Sequence, residues 1–184
     1  MNSWRYDLAG FNSKLPEDEW AFIKKYNKYT EKYTYVPENL TRIRKLGNQL
    51  EAEYERDYSD FVDNRFTENG TYYDNIYNFK EIYAVYLVKR ELAKCNYNLD
   101  LDNVPWGQDV TEHFLFDTKE GFCQHFASAG TLLLRQMGIK ARYVSGYAVS
   151  TSEFKKDSDG NYTAEVLDNQ AHAWTEIYIV AQPE

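Results

Sequence analysis

One thiol and one imidazole in this chain sit in settings suited to nucleophilic catalysis. Cys123 lies in Gly121-Phe122-Cys123-Gln124-His125-Phe126-Ala127-Ser128, and His172 lies in Ala171-His172-Ala173-Trp174. A thiolate attacks carbonyl carbon, and a neighbouring imidazole can take the thiol proton and later return it to a leaving amine. The two residues are too far apart in sequence to pair locally, so a working pair must be tertiary. Blander readings stand beside this one: a small residue packed at a helix start, and a hydrogen-bonded structural imidazole. His125 is a poorer partner for Cys123, because residues two apart on a helix point away from each other. His113 reads as a partly exposed residue ahead of the core segment Phe114-Leu115-Phe116.

The surrounding pattern predicts the elements that must position the pair. A helix from Cys123 to Met137, capped by Gly138, would carry an inner stripe of Cys123, Ala127, Gly130, Leu134 and Met137. A thiol in its first turn faces the positive end of the helix dipole and unpaired N–H groups, which favours thiolate. Ile139 to Val149 alternates as a strand, Asp159-Gly160 marks a turn, and Tyr162 to Leu167 and Ala171 to Val180 read as two further strands. His172 would then start a strand beside the helix.

The first half is helix-leaning. Asp18 to Lys28 and Glu38 to Tyr58 carry apolar residues at helical intervals, the second through Leu40, Ile43, Leu46 or Gly47, and Leu50, and both read as amphipathic surface helices. Residues 59–75 read as a loop. A stronger helix begins near Phe79 with Ile82, Tyr83, Tyr86 and Leu87 and ends near Asn96, and Tyr97 to Trp106 is irregular. Helices followed by strands favour an α+β fold with an antiparallel sheet against the Cys-bearing helix.

Composition removes several function classes. With 184 residues, 43% hydrophobic and 27% charged, the chain can bury its own core, and no apolar run approaches the roughly 20 residues that span a bilayer. The N-terminus lacks a signal-peptide hydrophobic region, so soluble behaviour is expected. A net charge of −8 argues against nucleic acid as a partner. The 17 tyrosines are most simply amphipathic rings at core edges, with a glycan or peptide groove as a secondary reading. Cys95 and Cys123 form no zinc spacing, so no metal is expected; they admit one disulfide in an oxidising compartment, although Cys95 is adequately explained as a small buried residue.

Three blocks in order carry a family resemblance: residues 114–129 around Glu120-Gly121-Phe122-Cys123-Gln124-His125, residues 134–147 around Gly138-Ile139-Lys140-Ala141-Arg142-Tyr143-Val144-Ser145-Gly146-Tyr147, and residues 171–178 around Ala171-His172-Ala173-Trp174-Thr175-Glu176. Together they resemble the transglutaminase-like superfamily, nearest its bacterial cysteine-peptidase type. The resemblance covers about residues 76–180 and extends to the Val36 to Glu53 helix, but not to residues 1–35. It implies residues 1–75 as a helical lead-in and 76–184 as a papain-like transglutaminase core without a cofactor.

In that family the thiolate attacks a glutamine carboxamide or peptide carbonyl, a thioester forms, and amine or water resolves it. The resemblance implies Cys123 as nucleophile and His172 as base and acid. The Cys123 N–H would serve the oxyanion, with Tyr97, Trp106 and Gln124 as candidate second donors, Tyr97 first because the family has an aromatic near this point. Trp174 would shield the imidazole. The family's third residue is an Asp on the strand after the His, so the expectation is that it follows Glu184 in a longer parent and that the isolated chain is impaired. Asp168 reads as a turn residue, and Glu176, on the same strand face as His172, lies about 13 Å along the strand. The parent is expected to be membrane-tethered with this domain outside the cytoplasm, acting on protein or peptide substrates. The alternative is a non-catalytic module of the same fold that binds peptide or protein.

Overall fold

The computed structural model describes residues 30–63 and 79–179, together with residues 21, 25 and 28, and omits the side chains of 59–63 and 79. The chain divides into two compact units, Met1–Lys32 and Tyr33–Glu184. In the first, residues 21, 25, 28 and 30 are helical; the remainder of the helix expected there lies outside the described residues. Everything below concerns the second unit.

Its first helix, α1 (Thr41–Asp63), begins where a distant carboxylate satisfies the open N–H groups of a helix start. Glu112 Oε1 accepts from the backbone of Arg42 at 2.8 Å and of Ile43 at 3.1 Å, while the Arg42 guanidinium forks onto Asp117 at 2.8 and 2.9 Å. The inner face carries Ile43, Gly47, Leu50 and Tyr54, all buried. Gly47 is required by its neighbour: a methyl group there would lie 2.5 Å from Gln136 Cγ. The helix runs through residues 59–63, which had read as loop. Its polar second half is held by side chains of α2 (Phe79–Leu92), since Arg90 forks onto Glu53 at 2.5 and 2.8 Å and the Tyr83 hydroxyl donates to Asp57. Residues 64–75 of the expected loop lie outside the described residues.

α1 and α2 pack into one core with the helix that follows Phe122. Ile43, Leu50 and Tyr54 share one buried cluster with Leu87, Leu133, Leu134 and Met137. The compact unit that holds both helices begins at Tyr33. After α2 the chain forms β1 (Asn96–Tyr97), a short helix α3 (Val110–His113) capped by the Asp109 carboxylate, a π-helical turn at Phe114–Thr118, and β2 (Glu120–Gly121). β1 and β2 pair in parallel, Tyr97 opposite Gly121.

The central helix α4 (Cys123–Gln136) matches the expected boundaries. Gly138 has φ +76°, Ile139 N–H donates to Leu134 and Gly138 N–H to Arg135, both at 2.9 Å, which is the paired cap that a left-handed glycine permits. β3 (Ala141–Tyr147) then turns back antiparallel to β6 (Ala171–Ile177), in the register Ala141↔Ile177 through Gly146↔His172 to Tyr147↔Ala171. Tyr162 to Leu167 is not a strand of this sheet. Only Tyr162–Thr163 (β5) is paired, in a hairpin with Lys155–Lys156 (β4), and apart from Ala164 residues 161–167 are exposed, so no apolar face draws them onto the layer. The mixed helix-and-sheet architecture, with a small antiparallel sheet on the Cys-bearing helix, is otherwise the one expected.

Thr175 fastens the sheet to the helix. Its hydroxyl donates to the Ala127 carbonyl at 2.9 Å and lies 3.1 Å from the Thr131 hydroxyl. Thr175→Val keeps the shape and removes both bonds, and an expected loss of about 1 kcal/mol follows from one net hydrogen bond and a stranded hydroxyl. Urea unfolding checks it.

Candidate active site

The start of α4 is shaped by three neighbours. Gly121 is buried so tightly that a methyl group would lie 2.7 Å from the Phe114 ring and 2.8 Å from His125 Cβ. Phe122, with extended φ −118° and ψ −176°, caps the helix. His125, three residues on, accepts the Phe122 N–H at Nδ1 (3.3 Å), and the Phe122 carbonyl receives the N–H groups of His125 and Phe126 at 2.8 and 3.2 Å. Among the described residues the N–H groups of Cys123 and Gln124 are left without acceptors. Cys123 is half-buried with a free thiol beside them.

His125 thus serves the cap rather than the thiol. Burial pushes its pKa down, so the folded chain favours the neutral ring that can accept the Phe122 proton. A histidine lowered in the folded state stabilises above its ordinary value of about 6.5 and loses that contribution as pH falls through it toward the folded value. His125→Asn keeps an acceptor without a titration. Melting curves from pH 7.5 to 5 should therefore fall less steeply for this variant than for the parent.

His172 is the second residue of β6 and is exposed. β6 runs parallel to α4, since it is antiparallel to β3, which returns from the helix C-terminus. Thr175 lies beside Ala127. Two residues back along a strand is about 6.6 Å and four residues back along a helix is about 6 Å, which brings Ala173 level with Cys123. Cys123 and His172 therefore stand at the same end of the helix-sheet layer. Alternation puts Ala173, Thr175 and Ile177 on the face toward the helix and His172, Trp174 and Glu176 on the other. Neither the thiol nor the imidazole is hydrogen-bonded among the described residues.

The remaining candidates differ. Tyr97 stands beside Gly121, its ring stacked on Phe126 at 6.1 Å between centroids, one helical turn from Cys123. Gln124 is exposed in the first turn of α4. Trp106 is fully exposed, at 103%, on a turn closed by Gln108 N–H to the Pro105 carbonyl, with Gly107 at φ +82°. Among the described residues no ring contact is made by Trp106. Trp174 leans across Gly146, the residue paired with His172, and donates its indole N–H to Glu176 at 3.0 Å. Glu176 is engaged with Trp174 and Arg142, and Asp168 is exposed in a 3-10 turn, so neither is held against the imidazole.

Sequence reasoning missed the roles of Arg142, Gly146 and the His125 cap. Arg142 and Glu176 were findable from strand pairing once β3 and β6 were set in register. Among the described residues no cluster of His, Cys, Asp or Glu is placed to hold a metal, and no helix is long and apolar enough to cross a membrane.

Comparison with known proteins decides the family. The model of the transglutaminase-like superfamily matches residues 73–183, more than half of the chain. The chain belongs to the transglutaminase-like superfamily. Protein YebA of Bacillus subtilis (strain 168), itself named as uncharacterized, is 30% identical over 159 residues, 84% of this chain and 18% of that protein. A protein-glutamine gamma-glutamyltransferase of Pseudomonas aeruginosa is 44% identical over 78 residues, 42% of this chain and 10% of that enzyme. The chain therefore spans less than a fifth of either relative. Among solved structures, the periplasmic domain of TgpA from Pseudomonas aeruginosa has a TM-score of 0.54 at 27% identity, covering 85% of this chain and 44% of that one. The same periplasmic domain has also been crystallised bound to ethylmercury.

Proposed function

We propose that this transglutaminase-like chain is an acyl-transfer enzyme acting on protein or peptide amides, with Cys123 as nucleophile and His172 as its base and acid. The observation that carries this reading is the placement of a half-buried free thiol in the open first turn of α4, at the end of the layer where β6 carries His172 as its second residue. The local identity to a protein-glutamine gamma-glutamyltransferase supports a glutamine carboxamide as the acyl donor.

In the first half-reaction His172 takes the Cys123 proton, Sγ bonds to the carboxamide carbon, and the carbonyl becomes an oxyanion. The unpaired N–H groups of Cys123 and Gln124 lie beside that sulfur, and the Tyr97 hydroxyl is the first side-chain candidate to join them. The C–N bond breaks as His172 returns its proton to the nitrogen, ammonia leaves, and a thioester remains. An amine or water then attacks the thioester; His172 takes its proton, the C–S bond breaks, and the thiol is restored. A lysine amine gives a cross-link and water gives a deamidated side chain. With a peptide carbonyl as donor, the same steps hydrolyse the backbone. The site needs no cofactor for any of this. Likeness to a periplasmic domain supports a location outside the cytoplasm and a longer, membrane-tethered parent.

Iodoacetamide tests the nucleophile with an internal reference, because burial pushes the Cys95 thiol up. Near pH 7, Cys123 should be carboxamidomethylated well before Cys95, and His172→Ala should slow Cys123 while leaving Cys95 unchanged. Equal rates at both cysteines in the parent would favour a non-catalytic binding module.

A further inference from the structure

Glu176 divides its two oxygens between two partners. Oε1 accepts the Trp174 indole N–H at 3.0 Å, and Oε2 accepts from Arg142 Nε and Nη2 at 2.8 and 2.6 Å. These charge-assisted bonds are directional, so the carboxylate sets the plane of the indole as well as its distance. The Trp174 N–H first, and then Arg142, hold the carboxyl below its usual range, which keeps this acceptor ionised at neutral pH. An exposed ion pair contributes little to stability. Its geometric consequence is larger.

The indole's far edge lies over Gly146. A methyl group on Gly146 would meet Trp174 Cη2 at 3.2 Å and Cζ3 at 3.7 Å, so the ring occupies the space that a side chain at position 146 would fill. Gly146 is the register partner of His172, and directly opposed residues of an antiparallel pair present their side chains to the same face about 5 Å apart. The slot across from the imidazole is thus filled by tryptophan rather than by residue 146. His172, Trp174 and Glu176 form one row on β6, with Gly146, Val144 and Arg142 opposite them on β3.

We propose that Glu176, anchored by Arg142, is a positioning residue that holds the Trp174 indole in the slot facing His172 and so fixes the imidazole's orientation. This deepens the catalytic reading above and rests on it for its effect on turnover, though not for its geometry. Loss of the carboxylate frees the indole N–H from its acceptor, and the ring no longer bounds the space available to His172. Glutamine at 176 retains an oxygen for the indole but loses the ion pair. Alanine at 146 pushes on the same ring from the opposite strand without touching Glu176.

The test is side-chain NMR of the isotope-labelled chain, with Trp174→Phe and His172→Gln spectra supplying the assignments. Glu176→Ala should shift both the Trp174 indole N–H and the His172 ring resonances, Glu176→Gln should return both most of the way, and Gly146→Ala should shift His172. In turnover, Glu176→Ala should lower kcat about tenfold with KM little changed, less than the ~100-fold that a 1 Å misplacement can cost. His172 resonances that stay in place while the Trp174 N–H moves would overturn the proposal. Activity in Cys123→Ala equal to the parent's would count against the catalytic reading alone, because the resonances report positioning without turnover.

Discussion

Cys123→Ala is expected to abolish thioester formation and, with it, nearly all acyl transfer from a glutamine-containing peptide. No other group in the site can substitute. The second cysteine, Cys95, lies after α2 and two residues before Tyr97, half-buried and with its thiol disfavoured as thiolate by that burial. Tyr97 pairs with Gly121 and Asn96 with Glu120, so Cys95 falls near Lys119, four residues before Cys123 in the chain. Loss of a nucleophile costs on the order of 10⁶ in kcat where the reaction depends on it entirely. Cys123→Ser gives nearly the same loss, since a hydroxyl lacks a thiol's readiness to ionise. The check is release of ammonia together with incorporation of a labelled amine. The fold should persist in both variants, because Cys123 is only half-buried and caps nothing.

His172→Gln is the second large effect, and its size depends on the leaving group. With a carboxamide donor the departing nitrogen must be protonated, so removing the acid should cost about 10³-fold, within the usual range for general acid-base catalysis. A p-nitrophenyl ester leaves without a proton. The same variant should then lose only about tenfold, since sulfur is an intrinsically strong nucleophile and this leaving group needs no acid. Steady-state rates on the two substrates separate a proton donor from a residue that merely shapes the site, which would depress both rates equally.

The sequence carried the helix-to-strand order and the limits of α4 because glycine and apolar spacing encode them directly: Gly138 takes a left-handed turn, and Ala127, Leu134 and Met137 form its inner stripe. The same spacing located β3 and β6, whose inward residues pack on one helix. It failed where tertiary bonds outweigh local character. Residues 59–63 read as loop, yet α1 runs on through them, and the polar turn just before them is held by Tyr83 and Arg90 of α2 on Asp57 and Glu53. Tyr162 to Leu167 had strand-forming residues but no surface to cover. Within the site, the thiol and imidazole were legible from residue type, whereas the Glu176 contacts were not. Measured along its own strand Glu176 is remote from His172, and only the pairing with β3 reveals that its reach passes through Trp174 and ends across from the imidazole.

The most direct test of the Cys123–His172 assignment is covalent capture by a peptide in which a diazoketone replaces the glutamine carboxamide. Tryptic mass spectrometry should find one adduct per chain, on Cys123, absent from Cys123→Ala, markedly slower in His172→Gln, and not on Cys95. An adduct shared equally between Cys95 and Cys123, or one formed on Cys123 at the same rate with and without His172, would contradict the assignment.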